Sequence, residues 1–407
     1  MHAVFALLVA CGSPLPPEGD TAAPVDPNAI TTTARPDGRS EVLAATLPST
    51  GATLMFGGND GPIVAQRAQA RFRDDTWIFQ PGVGWSAVDA PGPSARGRYG
   101  VAVDAAAGRA LLFGGRYRDA DETGDYRLFK DLWSFDFASR SWSEIDTGGG
   151  GPSGRYYPTV GWDEGTQSLY VFGGATNRDP LIIEPSMDLW RWTAASGWSE
   201  IATTGTPPST RTFFGSAWDP AGKFIYLFGG QVGDFSSLAF QDTWALDVTT
   251  GAWTLLDDGR GRAPSTRMHA GLVWDPDAAR LVLFGGHTDI GDGNDLWTFD
   301  PAQPGWDKVL QGDRFTENGL GCLDNPSEVP ADYVEQDLTA PERRHRGLLT
   351  AWGGSLWIAG GMHSECSAYL DDTWRFDFDT AAWVPLIDAR TGESCARRGD
   401  ACECLCL

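Results

Sequence analysis

One unit recurs six times along the 407 residues and leaves little choice of fold. Each copy opens on Pro-x-x-Arg, runs to a Gly-Gly doublet, then to Asp-x-Trp, and then to a lone Trp. The arginines are Arg39, Arg96, Arg155, Arg211, Arg267 and Arg344. The doublets are Gly57-Gly58, Gly114-Gly115, Gly173-Gly174, Gly229-Gly230, Gly285-Gly286 and Gly360-Gly361, spaced by 57, 59, 56, 56 and 75 residues. A period of roughly 50 residues marks a repeat architecture, in which each unit buries its apolar face against its neighbour.

The interior of the unit reads as strands. In the first five copies the Arg precedes the first Gly by 18 residues, and in the sixth by 16. Two apolar runs separated by a turn fill that interval. In the fifth copy they are 270–274 and 280–284, joined across Asp275-Pro276-Asp277. Short β-branched and aromatic runs bounded by Asp, Pro and Gly are the signature of a hairpin. A third strand carries Asp75, Asp131, Asp188, Asp242, Asp295 and Asp372 with their Asp-x-Trp tryptophans. A fourth opens at Trp85, Trp142, Trp198, Trp253, Trp306 and Trp383. No segment keeps a helical period. The spacing predicts an all-β, six-bladed β-propeller of four-stranded antiparallel blades, which manages exposed sheet edges by radial repetition. Twelve of the 18 tryptophans occupy the two repeated positions, where large rings suit the wedge between blades.

A Gly-Gly doublet ending strand two, an aromatic in strand three and a Trp opening strand four resemble the kelch family, over residues 36 to about 388. The resemblance implies blades at about 36–91, 92–150, 151–206, 207–262, 263–311 and 341–388, with an insertion at 307–340. Many kelch propellers close by a strand borrowed from the other terminus, whereas units one and six here both read as complete.

Composition narrows the partners. A net charge of −23 opposes nucleic acid or an anionic membrane surface, which would repel the chain. Residues 1–11 read as a signal peptide ending in Leu8-Val9-Ala10-Cys11, a lipobox-like sequence that makes Cys11 the expected lipidation site. Residues 12–35, rich in Pro, Thr, Ala and Asp, read as a disordered tether, and 389–407 as a Cys-rich tail. The expected location is therefore outside the cytoplasm: an outer-membrane lipoprotein, or the periplasm or cell surface, touching the membrane only through an N-terminal lipid anchor. The six cysteines after Cys11 favour disulfides in an exported chain. Cys322, between units five and six, and Cys366, after the last doublet, belong to loops on one face and form a candidate pair.

Six Arg and six Asp in fixed stoichiometry predict a structural ring of internal ion pairs, in preference to a cationic funnel for an anionic ligand. Binding belongs where the repeat is broken: in the loops after the doublets and in the acidic 307–340 insertion. The candidate ligand-binding residues there are Arg116, Tyr117, Arg118, Arg178, His287 and His363. Four of the five histidines, His269, His287, His345 and His363, fall in units five and six. His269 and His345 read as variations of strand one, His287 and His363 as loop surface, and 289–295 as a polar turn. No metal or cofactor is assigned.

The resulting expectation is a monomeric, membrane-tethered binding module of the bacterial cell envelope that recognises an envelope protein or glycan at one mouth. No catalytic residue is named. The alternative is an enzyme acting on an anionic sugar at that mouth, as in the exported kelch-type sialic-acid mutarotases that the export signal and Arg-lined mouth resemble. Galactose oxidase shares a kelch-type propeller, but its cross-linked Cys has no counterpart in the early blades here.

Overall fold

The computed structural model describes residues 30–64, 67–232, 239–289, 291–315, 334–335, 339–364 and 368–389. These form six antiparallel sheets around an axis, a β-propeller with no helix among the described residues. Blade one comprises Ala45–Thr46, Thr53–Phe56, Thr76–Gln80 and Gly84–Val88, and blade two Gly100–Asp104, Arg109–Phe113, Leu132–Asp136 and Ser141–Asp146. Thr159–Asp163, Ser168–Phe172, Leu189–Thr193 and Gly197–Ile201 make blade three; Gly215–Asp219, Phe224–Phe228, Thr243–Asp247 and Trp253–Asp257 make blade four. Blade five has Gly271–Asp275, Arg280–Thr288, Gly291–Phe299 and Trp306–Leu310, with Arg267–Met268 added to its second strand. Blade six has Leu348–Trp352, Ser355–Ala359, Thr373–Asp377 and Ala382–Ile387.

The core lies between blades. Leu54 and Phe56 of blade one pack with Leu112, Phe135 and Trp142 of blade two. The strand-four Trp reaches back to the preceding blade: the indole N–H donates to a strand-three Thr hydroxyl at 2.9 Å in Trp142–Thr76, Trp306–Thr243 and Trp85–Thr373. The last pair spans the closure, so blades six and one meet through the contacts used elsewhere. Met55, Phe79 and Trp85 pack there against Leu348, Trp357 and Ile387.

The doublet explains how blades join. Both of its glycines take positive φ in every copy. The N–H of the second Gly donates to the carbonyl of the next blade's repeat Arg: Gly58 to Arg96, Gly115 to Arg155, Gly230 to Arg267, Gly286 to Arg344, and Gly361 back to Arg39. A Cβ on Gly57 would stand 2.5 Å from the Arg96 carbonyl oxygen, so a side chain there would push the blades apart. Closure therefore uses the interblade hydrogen bond of the repeat, and no strand of these sheets is exchanged between the two ends.

Three boundaries differ from the sequence reading. Residues 30–35 are part of the packed body and not of a tether. The Thr31 and Thr32 amides donate to the Val83 carbonyl at 3.0 Å, and Arg35 pairs with Asp371 of blade six at 3.2 Å. The apolar contact of Ile30 with blade one and the charge on Asp371 hold this stretch down. The segment after blade five begins beyond Leu310, because Asp307–Leu310 continue strand four. The stretch 289–295 is not a polar turn throughout: Gly291 to Asp295 belong to the strand Gly291–Phe299, which extends the central hairpin of blade five and pairs Asp292 with His287. Cys11, Cys322, Cys366 and the cysteines from 395 onward lie outside the described residues.

Candidate functional site

Each repeat Arg is consumed in building its blade. Arg39, Arg96, Arg155, Arg211, Arg267 and Arg344 are all buried, and each forks onto both carboxylate oxygens of the Asp in the same blade: Asp75, Asp131, Asp188, Asp242, Asp295 and Asp372. Each Arg also donates to the carbonyl of the first doublet Gly. The Asp in turn accepts the indole N–H of its Asp-x-Trp partner, as in Trp77 to Asp75 at 2.8 Å. With Nε bonded to the carbonyl two residues before it, each guanidinium makes at least four hydrogen bonds inside its own blade, which is a structural use of the charge.

Two residues further on, the chain turns into the channel. Glu41, Arg98, Tyr157, Phe213, His269 and Arg346 occupy equivalent positions, all with left-handed backbone, φ from 55° to 66°. A non-glycine residue there is held by its surroundings. The surroundings are a belt of hydrogen bonds around the axis: the Glu41 amide to the Arg346 carbonyl at 3.0 Å, Arg98 to Glu41 at 2.9 Å, Tyr157 to Arg98 at 2.6 Å and His269 to Phe213 at 2.7 Å. The fold thus presents six identical backbone sockets and fills them with six side chains of differing chemistry. These six line a cavity of about 130 Å³, with Leu43, Leu272, Leu348 and Leu349 deeper in the channel.

A second tier lies between this ring and the mouth. The residue after each repeat Arg pairs with the residue after each doublet: Ser40 with Asn59, Gly97 with Arg116, Tyr156 with Ala175, Thr212 with Gln231, Met268 with His287, and His345 with Met362. Arg116 is buried here, its guanidinium 2.9 Å from the Glu41 carboxylate and 4.3 Å from the centre of the Tyr126 ring.

The site carries excess positive charge. Glu41 pairs with Arg98 at 2.7 Å as well as with Arg116. Burial alone would raise the Glu41 pKa, but Arg116, Arg98 and Arg346 outweigh it and hold the carboxyl at about 2. Among the described residues no carboxylate lies within ion-pairing distance of Arg346, whose guanidinium meets His269 Nε2 at 2.7 Å. Arg346 keeps some accessible surface on the cavity wall, yet protein encloses it. Burial, with Arg98 and Arg116 nearby, pulls its pKa down against the opposing influence of Tyr157 and Glu41. His269 is driven well below its usual pKa by burial and by Arg346, so its imidazole is neutral and accepts the guanidinium N–H. The Nε of Arg98, of Arg116 and of Arg346 is buried without a hydrogen-bond partner among the described atoms.

The six loop residues expected to bind are separated. Arg116 and His287 occupy second-tier positions on blades two and five. Tyr117 is on the outer loop, its hydroxyl 2.9 Å from Asp119. The Arg118 guanidinium donates to the Glu122 carbonyl. Arg178 joins the loops of blades two and three through the Tyr126 carbonyl at 3.3 Å. His363 is fully buried, contrary to its reading as loop surface, because the short hairpin Met362–His363 with Ala368–Tyr369 folds it inward. His345 is likewise buried. His269 and His345 are not equivalent: one is the second and the other the first residue after its repeat Arg. Glu41, Arg98, Tyr157, Phe213 and Arg346 were not identified in the sequence. Their signal is a constant offset from Pro-x-x-Arg at which the residue type changes from copy to copy.

The KLHDC2/KLHL20/DRC7 Kelch-repeats domain model matches residues 27–178 and 162–318. The chain is 24% identical over 292 residues to Kelch domain-containing protein 10 of Bos taurus and of Homo sapiens, which covers 68% of this chain and 57% of each relative. It is 25% identical over 211 residues to Kelch domain-containing protein 3 of Mus musculus, covering 50% of this chain and 48% of the relative. It therefore spans less than two thirds of the length of these curated relatives. With Arg, Gly-Gly, Asp and Trp placed as above, the chain belongs to the kelch-repeat family of that domain model.

Proposed function

We propose that this propeller is a binding module that seats an acidic group of a protein partner in the axial pocket. Kelch propellers are typically protein-interaction modules. The observation that carries the reading is the charge count around the pocket: Arg98 and Arg346 line it with Glu41, and Arg116 pairs with Glu41 from the second tier, three guanidiniums to one carboxylate. Buried cations lacking a full set of acceptors favour an incoming anion, which gains strong charge-assisted hydrogen bonds in a low-dielectric site. The rim favours a protein over a sugar. Leu181 and Ile182, on the loop after the blade-three doublet, are 84% and 48% exposed, and Val232 after the blade-four doublet is 41% exposed. Exposed apolar side chains around a polar pocket suit a peptide with an acidic anchor and apolar neighbours.

In this reading the module is exported and held to the envelope by a lipid on Cys11, supported by Leu8-Val9-Ala10-Cys11. Metabolic labelling with a radiolabelled fatty acid should mark the full chain and leave the Cys11→Ser variant unlabelled.

Panning a random peptide library against the protein tests the binding site. Peptides with a shared acidic residue are expected for the wild type and should be lost in Arg346→Met. Enrichment of basic or purely apolar peptides would sink the reading. Thermal stabilisation by an anionic monosaccharide without any acidic peptide enrichment would favour the anionic-sugar enzyme instead.

A further inference from the structure

Beside the pocket, blades five and six bring together a second set of side chains that the binding reading does not use. His287 is the next-to-last residue of one strand of the blade-five hairpin, and Asp292 faces it near the start of the next. His345 arrives from blade six, directly after the repeat arginine Arg344, where it bridges Met362. His287 Nδ1 and His345 Nδ1 stand 2.7 Å and 2.9 Å from the same atom, Asp292 Oδ1. The other oxygen, Oδ2, accepts the Ser364 amide at 2.7 Å, which fixes the carboxylate plane. Asp292 is fully buried and His345 nearly so, while His287 is about a third exposed towards solvent.

We propose that His287, Asp292 and His345 form a binding site for a divalent first-row transition metal. Their nitrogen and oxygen ligand atoms lie within 4.8 Å of one another. A tetrahedral ion with bonds of about 2.0–2.1 Å needs its ligand atoms roughly 3.3 Å apart. The two Nδ1–Oδ1 separations therefore have to open by about half an ångström, a small rotation of each imidazole within its own rotamer well. Two imidazoles and one carboxylate are the ligand set of zinc and of non-haem iron sites, and three protein ligands leave a coordination position open. On binding, each imidazole would ligate through Nδ1, so the hydrogen that each Nδ1 shares with Asp292 Oδ1 moves to Nε2 or leaves to solvent as the ion enters. The Ser364 amide acts as the outer partner that orients the carboxylate. The open position faces the side on which His287 is exposed, the mouth of the channel. The site spans two blades, so the metal would also clamp blade five to blade six.

The test uses the full chain, stripped with a chelator and titrated calorimetrically with Zn2+ alone, then with Co2+ monitored by visible absorption. The expected result is one ion per chain, with affinity reduced at least about 100-fold in both His287→Ala and His345→Ala. The cobalt spectrum should show ligand-field bands without a thiolate charge-transfer band. If His345→Ala fails to fold, His287→Ala, at the exposed edge of the cluster, decides alone. Absence of binding, binding unchanged in His287→Ala, or a thiolate band pointing to the cysteines would each overturn the proposal.

Discussion

The repeat Arg ring and the ring two residues after it share one chain segment in every blade, yet they obey opposite rules. In the first, the same residue recurs six times, and each guanidinium meets a carboxylate of its own blade at both oxygens. In the second, one backbone conformation recurs six times under Glu41, Arg98, Tyr157, Phe213, His269 and Arg346. Repetition of the side chain marks what every blade needs in order to pack. Repetition of the backbone without the side chain marks a place where the blade itself does not dictate the side chain, so the chemistry there is set by what the ring encloses.

Substitutions can break this contrast. The largest stability loss is expected from Arg211→Ala in the outer ring. It strands the mostly buried Asp242 carboxylate and the Gly229 carbonyl, and should cost about 3–5 kcal/mol in denaturant unfolding. An unchanged midpoint would show that the ring does not hold the blade together.

Glu41→Gln should follow, at about 3 kcal/mol, because Glu41 is the one inner-ring residue whose charge its neighbours require. Its carboxyl lies at about 2 in the folded protein against an ordinary 4.5. The folded pKa is depressed, so this contribution is complete above about pH 4.5 and is lost as pH falls towards 2. Unfolding curves measured across that interval should lose part of their acid limb in the variant. An identical pH dependence would mean that Glu41 is not the counter-ion.

Arg346→Met should change stability by less than about 1 kcal/mol, since it removes a buried cation that lacks a carboxylate partner, while abolishing capture of acidic peptides. A loss of several kcal/mol would place Arg346 with the outer ring. The smallest stability effect belongs to Leu181→Asp on the rim, within about 0.5 kcal/mol, accompanied by weaker peptide binding. Equal peptide affinity would remove the blade-three loop from the docking surface.

Much of the molecule was legible in the sequence. Pro-x-x-Arg, Gly-Gly, Asp-x-Trp and Trp recur at regular spacing, and each has a local reason. The doublet glycines are needed for their positive φ and for the approach of the next blade's carbonyl, and the Trp fills the wedge between blades. The pocket residues were less legible, because broken repetition is most conspicuous in the long loops. Those loops hold Arg116, which pairs with Glu41, and His287 of the second tier, but also Tyr117, Arg118 and Arg178, which brace loops. The His cluster shows the same limit. His269 and His345 differ by one place in the repeat, which sends one imidazole into the inner ring and the other towards Asp292. Asp292 looked like part of a polar turn because Gly-Asp-Gly-Asn-Asp has turn composition, yet pairing with His287 drew it into a strand and buried it.

The sequence by itself determined the blade count, the strand order and the residues that bind each blade to the next, since these depend on short-range patterns repeated at fixed spacing. Only the tertiary structure decided which side chains face one another across the axis. Glu41 and Arg116 are 75 residues apart, and His269 and Arg346 are 77 apart, and no local pattern records those separations. They meet because closing the ring turns six equivalent sockets inward, and the electrostatics of the pocket exist only once the ring is closed.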